Sequence, residues 1–292
     1  MNGRNEQCWC GSGKKWKKCH YPQEGKAKGE TLQERYRRQY DILLKNEEQI
    51  AGITKACEVT AKILQSLCEA AVEGVTTEEL DKLSRSLHAE EGAIPAPLNY
   101  GRPPFPKSIC TSINEVICHG IPDARPLVNG DILNIDVSAI VNGYYGDCSK
   151  MVSIGTISIE KQLVIDVAYE ALMAAIEKLR PGLPLYKIGE AISDYAERRG
   201  CSVVHQFVGH GVGLRFHEGP QIFHSRNDLR TELVPGMIFT IEPMINAGTP
   251  LAVIDKSNHW TARTADGRAS AQWEHTLLIT ESGYRILTPW KR

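Results

Sequence analysis

Apolar side chains recur at helical spacing from about Glu34 to Glu73, with Ile50, Ile53, Thr54, Cys57, Ala61 and Leu64 on one face, the pattern of an amphipathic helix. The run is expected to break near Asn46 and to stop at Gly74. The next stretch, TTEELDKLSRSLHAEEG, places Thr76 and Glu79 in capping-box spacing and ends at Gly92, the signature of a complete helix. Further helices are predicted from about Glu160 to Leu179, closed by Arg-Pro-Gly, and from Leu185 to Arg199, closed by Gly200. Strand-like stretches lie between and after these helices, and several are joined too closely for parallel crossovers. The pattern therefore predicts an α+β fold whose sheet is mostly antiparallel.

The strongest strand pair is DILNIDVSAIVNGYYGDCSKMV, Asp131 to Val152. Asn142-Gly143 is the preferred two-residue type I′ turn. Val141 should then face Tyr144, and opposed positions should sum to 285. That register sets Asp147 opposite Ser138 and Asp136 opposite Ser149. Side chains alternate along a strand, so the two aspartates share one face as diagonal neighbours, roughly 7 Å apart. Leu133, Ile135 and Val137 make this a central strand. Two carboxylates so placed repel unless they are protonated or bridged by cations, and a metal site resolves the conflict.

Composition places the 292 residues among globular chains, with 42% apolar and 24% charged residues. No window approaches the roughly 18 consecutive apolar residues of a membrane helix, and the N-terminus lacks a signal-peptide core. A cytoplasmic protein is expected. The net charge of -1 hides an asymmetry: residues 1–40 carry ten Lys or Arg against four Glu, a net +6, while the rest carries 24 basic against 31 acidic groups, a net -7. A basic head on an acidic body suggests that the head meets a polyanion or an acidic surface.

That head contains CWCGSGKKWKKCH, Cys8 to His20. Six other cysteines, Cys57, Cys68, Cys110, Cys118, Cys148 and Cys201, stand singly in apolar or strand-like stretches, as buried thiols do. Reduced thiols favour metal over disulfide for the head. Cys8, Cys10, Cys19 and His20, with a Gly-Ser-Gly turn between the pairs, suit one tetrahedral Zn. Residues 23–45 read as a linker and leading helix, and 46–292 as the main domain.

Further candidate ligands lie downstream. HQFVGHGVGLRFHEGP offers His205, His210 and His217 among glycines that permit close backbone approach. Glu242 ends an apolar strand in PGMIFTIEPMI, and Glu274 lies inside another in AQWEHTLLIT.

Asp136, Asp147, His210, Glu242 and Glu274, in that order and context, resemble the five metal ligands of the pita-bread metallopeptidases. SINEVICHGIP, NIDVSAIVNGYYGDCS, GHGVGLRFHEGP and FTIEPMI look specifically like the methionine aminopeptidases, over about Glu47 to Pro289. Only 31 residues separate Glu242 from Glu274, which leaves no room for the helical insertion of the type II enzymes and implies type I. The resemblance implies a pita-bread fold, with a central curved sheet flanked by helices, and removal of initiator methionine from nascent chains with a small second residue. Four carboxylates would balance two divalent ions, and one imidazole among oxygens suits Mn, Fe or Co, with Zn the further option. Asp136 is expected to hold mainly one ion, Asp147 and Glu274 to bridge both, and His210 and Glu242 to complete the other. A water between the ions would attack the scissile carbonyl. The resemblance makes Glu242 the general base, sets His217 on the carbonyl, and sets His119 on the scissile nitrogen.

By the same resemblance Phe105, Cys110, Phe216 and Trp260 wall the methionine pocket, and Asn114, Val116 and Ser270 match a monovalent-cation site for Na or K. Where the family usually has a tyrosine-rich loop, this chain has Arg102, two prolines and Phe105, which points to narrower or differently charged substrate access. The head resembles the zinc segment at the C-terminus of the SecA translocation ATPase, and its lysines and Trp9 or Trp16 would face a ribosomal surface, with an acidic protein the alternative. A monomer without membrane attachment is expected. An Xaa-Pro aminopeptidase or a non-catalytic binding module of this fold are the competing readings. The lack of a large N-terminal domain and the methionine-type pocket weigh against the first. The complete ligand set weighs against the second.

Overall fold

The computed structural model describes residues 5–7, 13–18 and 30–292. Cys8, Cys10, Cys19 and His20, and the linker residues 23–29, lie outside the described residues. In the head, Gln7 and Lys15 form an antiparallel bridge, and Trp16–Lys18 is a single 3₁₀ turn.

Among the described residues five α-helices follow: α1 (Leu32–Tyr40), α2 (Glu47–Ala70), α3 (Thr77–Glu90), α4 (Ile159–Ile176) and α5 (Tyr186–Glu197). The long N-terminal run breaks where the sequence placed the break. Asp41 leaves α1 in the left-handed region, and Asn46 starts α2 by accepting from the Gln49 amide in a capping box. Thr76 and Glu79 form the predicted capping box of α3, and Gly92 turns the chain out of it with a φ of 63°.

Among the described residues every strand ladder is antiparallel and the ladders form four sheets. Strand Ile132–Val141 is central to the first, with Tyr144–Ser153 on one side and Cys110–Ile113 and Ile94–Pro95 on the other. The hairpin register is the one the turn dictates: Val141 faces Tyr144, Ser138 faces Asp147 and Asp136 faces Ser149. Asn142 and Gly143 both take positive φ, 50° and 83°, as a type I′ turn requires. The largest sheet runs Gly283–Ile286, His275–Thr280, Ile238–Ile241, Gly209–Gly211, Glu218–Ile222. These two sheets carry all five predicted metal ligands or the residues beside them.

Helix α2 lies across the hairpin because Gly146 lets it: a Cβ there would stand 2.6 Å from the backbone of Ala56 and Cys57. That contact buries Ala56, Val59, Ile63 and Leu67 against Ile135, Val137 and Cys148 in the main core and fixes the backbone beside Asp147. The leading helix is also part of the body. Tyr36 and Ile42 are buried, the Tyr36 hydroxyl donates to the Glu232 carbonyl at 3.1 Å, and Ile42 bridges Gly219 in parallel.

Candidate metal centre and active site

Asp136, Asp147, His210, Glu242 and Glu274 all line one cavity of about 310 Å³. Asp147, His210 and Glu274 each offer a ligand atom within 4.8 Å of the others. The His210 Nε2 lies 3.7 Å from Asp147 Oδ2 and 3.6 Å from Glu242 Oε1. Neighbouring side chains set the ligand orientations. Ser138 Oγ donates to Asp147 Oδ1 at 2.7 Å, Thr240 Oγ1 to Glu242 Oε1 at 2.7 Å, and Gln272 Nε2 to Glu242 Oε2 at 3.1 Å. The Gly211 carbonyl lies 3.0 Å from His210 Nδ1. An Nδ1 proton donated to it leaves Nε2 with a lone pair facing the carboxylates.

Electrostatics argues for a cation in this cavity. Burial pushes the Asp136 carboxyl up to about 7 and the Glu242 carboxyl up to about 8. Burial, then the neighbouring carboxylates, raise Asp147 and Glu274 well above their ordinary range. Among the described residues no Lys or Arg forms an ion pair with any of the four. His210 cannot supply the charge, because burial lowers it to about 4 and leaves it a neutral ligand near neutrality. Four such carboxylates around one neutral imidazole match divalent cations with oxygen and nitrogen ligands, and the donor set fits the metals the sequence implied.

The two further histidines border the same cavity. His119 follows strand Val116–Cys118 with a left-handed φ of 54°, an unusual conformation for a residue with a Cβ. Its ring meets Phe207 and Trp260 edge-on, at centroid distances of 5.5 and 6.0 Å. His217 stacks on Tyr100 at 5.1 Å and leans on Phe216 at 4.3 Å and His210 at 4.1 Å. Burial lowers His119 to about 4 and His217 to about 3. Both are therefore neutral near pH 7, each with one N–H able to donate.

Phe105, Cys110, Phe216 and Trp260 line the cavity as expected. Phe105 packs edge-on against Trp260 at 5.3 Å, and the Trp260 indole donates to the Pro103 carbonyl at 3.0 Å. Tyr100, Phe207 and Met244 also line it and were not picked out from the sequence, although each sits in or beside a stretch that was. From the Arg102 loop Tyr100 and Phe105 line the cavity, while Arg102 itself is exposed and does not line it. His205, the third histidine of its segment, is also exposed and does not line the cavity.

Thr240, Gln272 and His224 escaped the sequence reading altogether. The Glu242 amide donates to His224 Nε2 at 3.1 Å, a contact made between residues 18 apart that only the folded sheet reveals. Asn114 and Val116 lie at a second cavity, of about 430 Å³. The Ser270 amide donates to the Asn114 carbonyl at 2.9 Å, and the Ser270 hydroxyl is buried with no hydrogen-bond partner.

Residues 51–281 match metallopeptidase family M24, and residues 4–22 match the SEC-C motif. The chain belongs to metallopeptidase family M24. Its place within the family is given by methionine aminopeptidase of Chlamydia muridarum (strain MoPn / Nigg), 62% identical over 285 residues that make up 98% of both chains. The crystal structure of methionine aminopeptidase from Rickettsia prowazekii superposes with a TM-score of 0.82 at 45% identity, covering 85% of this chain and 99% of that one. The prolidase of Pyrococcus furiosus shares the fold at a TM-score of 0.69 and 24% identity, and 66% of its length is covered. The identities place the chain with the methionine aminopeptidases of the family and do not favour the Xaa-Pro reading.

Proposed function

We propose that this methionine aminopeptidase removes the N-terminal methionine of nascent chains whose second residue is small, with Asp136, Asp147, His210, Glu242 and Glu274 holding two divalent ions. The observation that carries the reading is the cavity in which four buried carboxylates and a neutral imidazole converge beside an aromatic and sulfur-lined slot. Bound there, the ions would lower the pKa of a water to near neutrality and polarise the scissile carbonyl. The oxygen-rich ligand set supports Mn, Fe or Co.

The side chains supply the rest. Phe105, Cys110, Phe216 and Trp260 pack on the unbranched thioether of the substrate and exclude water from it. Glu242, oriented by Thr240 and Gln272, takes the proton of the attacking water. His217 donates to the oxygen of the scissile carbonyl as charge develops on it, and His119 hydrogen-bonds the scissile nitrogen as it leaves. Methionine release from Met-Ala-Ser, with a Met-Pro peptide as contrast, tests the assignment. Cleavage confined to the second would return the Xaa-Pro reading.

The SEC-C match supports one Zn on Cys8, Cys10, Cys19 and His20, and the basic head supports docking on the ribosome through phosphate contacts. The buried Ser270 hydroxyl, without a hydrogen-bond partner among the described residues, and the Asn114 carbonyl that the Ser270 amide bonds support a Na or K site with Val116. Cytoplasmic residence agrees with the reduced thiols expected of the chain, and among the described residues no helix is long and apolar enough to cross a membrane.

A further inference from the structure

A groove of about 720 Å³ adjoins the catalytic cavity and shares Val208, His210 and His217 with it. His210 pairs across the sheet with Gln221, so the two side chains project from one face and the groove lies on the catalytic side. Its outer wall is Tyr40, Asp41 and Ile42, from a segment between the two family matches at 4–22 and 51–281.

This arm is locked in place. Lys45 Nζ and Glu218 Oε1 form an ion pair at 2.5 Å, with side-chain exposures of 0% and 2%. The Lys45 amide donates to the Gly236 carbonyl at 2.8 Å. Gly219 admits the arm, since a Cβ there would stand 2.6 Å from the Asp41 carbonyl oxygen. Glu218 directly follows His217, so the arm is fixed at the point where the groove leaves the reacting centre.

We propose that this groove holds the stretch of substrate peptide beyond its second residue, and that the arm is thereby part of the peptide-binding surface. The proposal rests on the aminopeptidase reading, because an enzyme that seats the first side chain in a closed slot must let the remaining chain leave past its scissile-bond histidines. Leu185, Phe223, Leu229 and Tyr40 offer apolar contact to such a chain, and among the described residues no Lys or Arg lines the groove, a lining that suits a peptide better than a polyanion.

The test compares the metal-loaded, full-length protein on Met-Ala-Ser and Met-Ala-Ser-Leu-Phe-Ser. The intact protein should show a higher kcat/KM on the hexapeptide, mainly through a lower KM. Tyr40→Ala and Gln221→Ala, on opposite walls, should each cut the hexapeptide-to-tripeptide ratio by about twofold to tenfold, the size of one lost aromatic or groove contact. An unchanged ratio in both variants, or no length preference in the intact protein, overturns the groove assignment while leaving the aminopeptidase reading standing. Failure to release methionine from either peptide would overturn both.

Discussion

At the scale of single residues the chain gathers four carboxyl groups in one buried cavity, where proton uptake or metal binding offsets their mutual repulsion. The folded pKa of Asp136, about 7, and of Glu242, about 8, stand above the ordinary values of 3.8 and 4.5. Between the ordinary and raised values the metal-free native state holds more protons than the unfolded chain, so this contribution to stability declines as pH rises through that window. Metal binding requires the ionised carboxylates and moves the other way. The difference in Tm between metal-loaded and metal-free protein should therefore widen from about pH 5 to about pH 8; a difference that stays constant would contradict the raised carboxyls. Asp147→Ala or Glu274→Ala should abolish turnover and reduce bound metal, measured by elemental analysis of the purified variants. His217→Ala should lose roughly 2 to 4 kcal/mol of transition-state stabilisation, as removal of an oxyanion donor does. Its metal content should be unchanged, and a parallel loss of metal would make His217 a ligand.

At the scale of elements, legibility followed from how local each signal is. The Asn142-Gly143 turn dictates its own geometry, so the hairpin register, and with it the shared face of Asp136 and Asp147, could be written down from the sequence. The capping box at Thr76 and Glu79 and the stop at Gly92 are equally local. Thr240 lies two residues before Glu242 on the same side of the chain, but the contacts of Gln272 and His224 with Glu242 come from distant segments, and no periodicity announces those two. Nor does any local rule announce Gly146, which carries the α2 contact. Gly146→Ala would drive a methyl into the backbone of α2. It should cost about 1 to 3 kcal/mol, the usual range for overpacking, in a denaturant melt. Activity should fall with it because Asp147 is the next residue, and an unperturbed melt would show that α2 can shift at no cost.

At the scale of the whole molecule the proposed reading gives the body and the basic head separate roles. The proposed metal ligands and the slot lie between Phe105 and Glu274, and the arm packs on the body through Tyr36 and Ile42. Deleting residues 1–29 should leave kcat and KM on a tripeptide unchanged while removing salt-dependent binding to ribosomes; lost tripeptide turnover would mean that the head packs on the catalytic domain. The family resemblance made the ligand set legible because its residues sit in long ordered strings. The arm as a groove wall was not legible, since its contacts span residues 42 and 219. The cavity is proposed to be a metal-dependent methionine-releasing site. The most direct test is to strip the protein with a chelator, titrate back Mn, Fe or Co, and follow free methionine from Met-Ala-Ser. Activity should be absent without metal and should rise with bound metal until the site is filled. Methionine release that persists in the stripped protein, or that never appears with any divalent ion, would contradict the account.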